Sequence, residues 1–203
     1  MNRKVENKKV ARVSKDRSRI QYVIDHSKEV ADLMEKFAKK FGAGKYGRII
    51  GLSHDIGKMS PEWQELFFKK INIEDADIKE VEKEYNNIID HTTAGAGLLY
   101  EKFGLDSRFL GILTASLIFS SHGGIPNYSI KKKRLPFSCR IEKRDAYISI
   151  IDKDEDFIKL EKEINILVDE LKKSSPPIKI DEKKKFFQIF FFIKMLFSCL
   201  VDA

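Results

Sequence analysis

Cysteine is almost missing from this chain. Only Cys139 and Cys199 occur in 203 residues. Two distant thiols make neither a disulfide framework nor a zinc-type pair, so a reducing compartment, the cytoplasm, is expected. No phosphate-binding G-x-x-x-x-G-K-[ST] loop is present, which excludes P-loop nucleotide chemistry. Long apolar runs are lacking too. The longest, Phe186 to Val201, is broken by Gln188 and Lys194 and falls short of the roughly 20 residues a bilayer requires. Such a segment, apolar on nearly every side, reads as a buried core helix. The charged start has no apolar segment, so no signal peptide is expected. Alternating strand patterns are also missing, and the fold class is therefore expected to be all-α.

What is present is charge, unevenly placed. Lys+Arg number 38 and Asp+Glu 31, a formal net charge of +7. Residues 1–19 hold eight basic side chains against Glu6 and Asp16, which is +6 of that excess. A basic arm suits a polyanion, and a solvated tail reads equally well. The expected organisation is a basic extension over residues 1–19 and one domain over 20–203, long enough to bury a sizeable core.

Helical periodicity carries most of the chain. Val30, Leu33, Met34, Phe37 and Phe41 form a stripe that predicts a helix over about 21–41, closed by Gly42, with His26 on the same face. A second helix carries Ile49, Ile50, Leu52, Ser53 and His54 and ends near Gly57. Ser60-Pro61 predicts an N-cap and first helical residue. Residues 72–87 read as a polar loop or exposed helix. Thr92 to Phe103 predicts a helix with a small-residue face at Ala94, Gly95, Ala96 and Gly97, where a neighbouring backbone can approach closely. Further helices are predicted over Ser107–Ser120 and Asp154–Lys173, and a last one is capped by Asp181.

The chain has four histidines. Each alone has a bland reading. His26 is a core histidine on an apolar stripe, His54 with Asp55 a cap and ion pair, His91 a helix-start residue, and His122 a helix C-terminus. Together they are harder to dismiss, because all lie at helix ends or on a core face. Helices converging at their ends can point imidazole and carboxylate groups into one cavity, and these are the ligand types of divalent transition metals. An aspartate among them can bridge two metals.

The ordered blocks Gly51-Leu52-Ser53-His54-Asp55-Ile56-Gly57-Lys58, Trp63-Gln64, Asp90-His91-Thr92-Thr93-Ala94-Gly95-Ala96, His122-Gly123-Gly124-Ile125-Pro126 and Met195 to Ala203 resemble the HD nuclease domain of the CRISPR type I interference helicase-nuclease, within the HD phosphohydrolase superfamily. The resemblance implies an HD helical bundle with a metal site between helices. It implies His26, His54, Asp55, His91 and His122 as metal ligands for one or two divalent transition metals, whether Mn, Co, Ni, Fe or Zn. Asp55 and Lys58 would be catalytic, Lys58 steadying transition-state charge. Single-stranded DNA would be the substrate, tracked by Lys131, Lys132, Lys133 and Arg134. A Cascade-type complex and a helicase part would be the partners. Two departures stand out. Ser121 occupies the place of a histidine in that family. The chain stops at Asp202-Ala203, so either Asp202 serves as the last ligand or that ligand is missing, as in a fragment. An HD nucleotide phosphohydrolase, or a degenerate HD module with a binding role only, are the rival expectations.

Overall fold

The computed structural model describes residues 8–14, 16, 18–72, 91–121, 141, 151, 153–175, 177–179 and 181–203. Among these, seven α-helices surround one core and a single two-stranded hairpin packs against it. Two strands, β1 (Val10–Val13) and β2 (Ile20–Tyr22), precede α1 (Val23–Lys39), α2 (Gly44–Ser53), a 3-10 turn (Ile56–Met59) and α3 (Pro61–Asn72). Then come α4 (Thr92–Phe103), α5 (Arg108–Ser120), α6 (Glu155–Lys173) and α7 (Lys185–Asp202). No helix among the described residues is long and apolar enough to cross a membrane.

The expected all-α architecture holds, with local differences. The helix read from about residue 21 starts at Val23, because Ile20–Tyr22 pair antiparallel with Val10–Val13. A bulge lies between Val10 and Arg12. Val10 and Ala11 are buried, and the Val23 N–H donates to the Lys9 carbonyl at 2.8 Å. Arg19 and Ile20 lie within this hairpin, where the Ser14 N–H donates to the Arg19 carbonyl at 3.0 Å. The caps follow local chemistry. Gly42, at φ 77°, follows α1. Ser60 Oγ accepts from Trp63 N–H at 3.3 Å, and the Asp154 side chain accepts from Asp156 and Phe157 at the start of α6. Asp181 instead caps the turn before α7, accepting from Lys183 N–H at 2.9 Å.

Helices α1 and α2 form the central pair. Their backbones touch where Gly47 meets Met34 and Gly51 meets Ala31, since a Cβ at either glycine would come within 2.5 Å of main-chain atoms. Met34, Ile49, Ile50 and Leu52 of this pair are fully buried with Leu99, Phe103, Leu117, Phe157 and Leu160. Each such side chain contributes about 1.5–3 kcal/mol. Arg48 ties three helices at the surface of this core, bonding Asp32 and Glu35 of α1 and Glu163 of α6.

Helix α7 corrects an expectation. One face is buried, with Phe192 edge-on to Phe41 and Tyr46 and Leu196 inside the core. The other face exposes Phe186, Phe187, Phe190 and Phe191. It is not a core helix on all sides: among the described residues its main neighbours are α1, α2 and α5, and these cover one face.

Candidate metal centre

Four elements bring their ends together around one carboxylate. The first turn of α1 supplies His26, the C-cap of α2 supplies His54, Asp55 and Lys58 follow on the 3-10 turn, and His91 is the N-cap of α4. Two glycines permit this convergence. A Cβ on Gly57 would sit 2.1 Å from the His91 carbonyl oxygen, and one on Gly95 would sit 1.8 Å from the Ser53 carbonyl oxygen. Only bare backbone lets the 3-10 turn and α4 press so close to the residues they position. The small-residue face read from the sequence of α4 has this purpose at Gly95.

The geometry is centred on Asp55. Its Oδ2 lies 3.1 Å from His26 Nε2, 3.2 Å from His54 Nε2 and 2.7 Å from Lys58 Nζ. Its Oδ1 lies 3.6 Å from His91 Nε2. The side chains of Asp55 and His26 are 1% and 3% exposed, whereas Lys58 and His91 are 8% and 12% exposed. His91 is the least buried of these groups. Trp63 lies against the His91 ring with centroids 4.5 Å apart, which fixes the imidazole plane.

The donor set fits a divalent cation. His54 Nδ1 donates to the Gly51 carbonyl at 2.7 Å. A neutral ring then carries its lone pair on Nε2, the atom that faces Asp55. A lone pair and a carboxylate oxygen repel unless a proton or a cation lies between them. His26 Nε2 is buried without a well-aligned hydrogen bond. Burial is the main influence on His26 and lowers its pKa below the usual 6.5, partly offset by Asp55. His26 therefore favours neutral imidazole, the form that ligates. One ligand atom each from His26, His54 and Asp55 all lie within 4.8 Å of one another.

The structure brings together His26, His54, Asp55, Lys58 and His91. It does not bring Asp202 to them. Asp202 is exposed at the end of α7, where it accepts a long bond from Ser198. It borders a cleft of about 470 Å³ with Phe37, Lys40 and Phe41 at the C-terminal end of α1. That is about three helical turns from His26. The apolar face of α7 docks on Phe41 and Tyr46, and this directs its end away from the centre. Ser121 Oγ donates to Ile118 O at 2.8 Å, so its hydroxyl is satisfied within its own helix end. His122, Lys131, Lys132, Lys133 and Arg134 lie outside the described residues.

Sequence reasoning gave no site role to Arg12, and quoted Gln64 only within a matching block. The Arg12 charge reaches His26 and opposes its protonation. Gln64 is buried on the apolar face of α3. The signal for Gln64 was its spacing from Ser60 and Phe67, which puts a polar group on a core-facing stripe.

The HD domain family matches residues 23–156 of the chain. No curated protein matches it. The match covers more than half of the sequence and contains every residue brought together at the centre, so the chain belongs to the HD domain family. HD domains are generally metal-dependent phosphohydrolases that bind divalent metals. The His26, His54 and Asp55 group could hold such an ion.

Proposed function

We propose that this chain is a metal-dependent HD nuclease hydrolysing phosphodiester bonds of single-stranded DNA in CRISPR type I interference, alongside a Cascade-type complex and a helicase part. The observation that carries the hydrolase reading is the convergence of three imidazole Nε2 atoms and the Lys58 ammonium on Asp55. The nuclease reading is supported by the ordered sequence blocks, and by the basic segments at 1–19 and 131–134. Lys and Arg of this kind favour a polyanion through phosphate contacts.

A divalent cation supplies Lewis acidity toward a phosphoryl oxygen and lowers the pKa of water. The chain's own groups set the rest. His26, His54 and Asp55 would hold the cation, and His91 faces the second carboxylate oxygen. Lys58 places a positive charge where phosphoryl oxygens gain negative charge, which lowers the barrier. Substrate backbone would approach from the His91 side, the least buried part of the centre, and a single strand bends toward a buried group more readily than a duplex.

The test is cleavage of single-stranded DNA, duplex DNA and mononucleotides by the full chain with Mn²⁺, Co²⁺, Ni²⁺, Fe²⁺ or Zn²⁺. Metal-stimulated cleavage of the single strand is expected to exceed both others. Turnover of mononucleotides alone would mean a nucleotide phosphohydrolase. No turnover with any metal would leave a binding module.

One observation favours a weak centre. The Ser121 hydroxyl is used within its helix and Asp202 is remote. One metal per chain, or less, is expected by elemental analysis after dialysis, with Ser121→His raising that content. Two tightly held metals in the unmodified chain would contradict it.

A further inference from the structure

Gln64 is a carboxamide on the apolar face of α3, only 5% exposed. A polar group so placed costs stability unless it is fully bonded. It is fully bonded, and to an informative set of partners. Its Oε1 accepts from the Val10 N–H at 2.8 Å. Its Nε2 donates to the Val10 carbonyl at 2.9 Å and to the Lys58 carbonyl at 2.6 Å. The two bonds to Val10 are those a neighbouring strand would make, so Gln64 serves as one rung of a ladder on β1. The third bond reaches the main chain of the residue whose ammonium rests on Asp55. The Lys58 N–H is itself held by the Asp55 carbonyl at 3.0 Å. Lys58 is thus fixed through both its amide and its carbonyl.

We propose that Gln64 is a positioning residue of the centre: it couples the seat of strand β1 to the Lys58 main chain and so sets the Lys58 ammonium beside Asp55. This rests on the reading of Asp55 and Lys58 as working groups of a phosphohydrolase. It also makes the N-terminal hairpin part of the working unit. A side chain of similar length without the carboxamide fills the same space. It leaves Val10 N–H, Val10 O and Lys58 O without partners, and the 3-10 turn is free to shift.

The test uses Gln64→Met in the full chain, alone and combined with Lys58→Met. Hydrogen exchange on the metal-free protein is the first measurement. The amides of residues 56–60 should exchange about tenfold faster in Gln64→Met while those of α1 are unchanged. A change confined to residues 10–13 would overturn the proposal. The second measurement is hydrolysis of bis(p-nitrophenyl) phosphate at saturating Mn²⁺. We expect kcat to fall about tenfold to a hundredfold, the range for small misplacements of a working group. KM and the Mn²⁺ Kd should stay within about threefold. In the Lys58→Met background the same change should cost less than about twofold, because Gln64 acts through Lys58. Equal losses in both backgrounds would mean that Gln64 only stabilises the fold. If Gln64→Met fails to fold, Gln64→Glu retains the acceptor for Val10 N–H, removes both donors and gives the same comparison. An unmodified chain without phosphodiesterase activity would sink the proposed function, and the exchange measurement would then decide this inference by itself.

Discussion

The two ends of helix α1 are built on opposite terms. At its N-terminal end, His26 meets Asp55, on which His54, Lys58 and His91 also converge within 3.6 Å, nearly sealed from solvent. At its C-terminal end, Phe41 meets Phe192 of α7, whose outer face leaves Phe186 89% exposed and Phe187 69% exposed. The first end concentrates polar groups that are costly to bury and brings backbones together through glycine. The second end relies on apolar area alone and leaves much of it uncovered. Chemistry and stability are therefore carried by different ends of one helix, and substitutions should separate them.

The largest effect should come from Asp55→Asn. It keeps the volume and removes the charge on which three imidazoles and one ammonium converge. Metal-stimulated hydrolysis should fall to the metal-free level while helical content by circular dichroism is retained. Undiminished turnover would remove Asp55 from the reaction and break the contrast between the two ends.

Gly57→Ala should come next. Its new Cβ would collide with the His91 carbonyl, 2.1 Å away. Backbone cannot yield as a flexible side chain does, so the 3-10 turn must move relative to α4. We expect Mn²⁺ affinity to fall about tenfold to a hundredfold, read by calorimetry. Unchanged affinity would show that His91 and the 3-10 turn shift together.

At the other end, Phe192→Ala should cost about 3 kcal/mol or more in chemical denaturation, as for a large buried aromatic. Phe187→Ser should change stability by less than about 0.5 kcal/mol. Neither should alter the Mn²⁺ Kd. A change in that Kd would mean that the ends communicate along α1.

The smallest effect concerns pH. Burial lowers the His26 pKa below 6.5. Below that pH the unfolded chain binds a proton that the folded chain resists, so stability is lost as pH falls below 6.5. Thermal midpoints of the metal-free protein at pH 7.5 and 5.5 should differ less in His26→Asn than in the unmodified chain. An equal difference would assign the loss to other groups.

Much of this was legible because the signals are local. The stripe from Val30 to Phe41 predicts α1, Ser60-Pro61 starts α3, the apolar face from Phe157 to Leu171 predicts α6, and the His54-Asp55 pair with Gly57 and Lys58 marks the centre. The hairpin was not legible. Val10–Val13 is a short apolar run among basic residues, and nothing local distinguishes a strand from a tail. Its structure depends on pairing with Ile20–Tyr22 and on Gln64, which is 54 residues away from Val10 in sequence. The exposed face of α7 was not legible either, since composition records how apolar a helix is and not which neighbours cover it.

The sequence by itself determined most of the helices, the Ser60-Pro61 start and the identity of the groups able to bind a cation, because periodicity, capping and ligand type are properties of neighbouring residues. The tertiary structure alone decided that His26, His54, His91 and Lys58 share one carboxylate while Asp202 lies at the far end of α1. Convergence depends on how helices cross. Those crossings are set by backbone contacts at Gly47, Gly51, Gly57 and Gly95 that join residues distant in the chain.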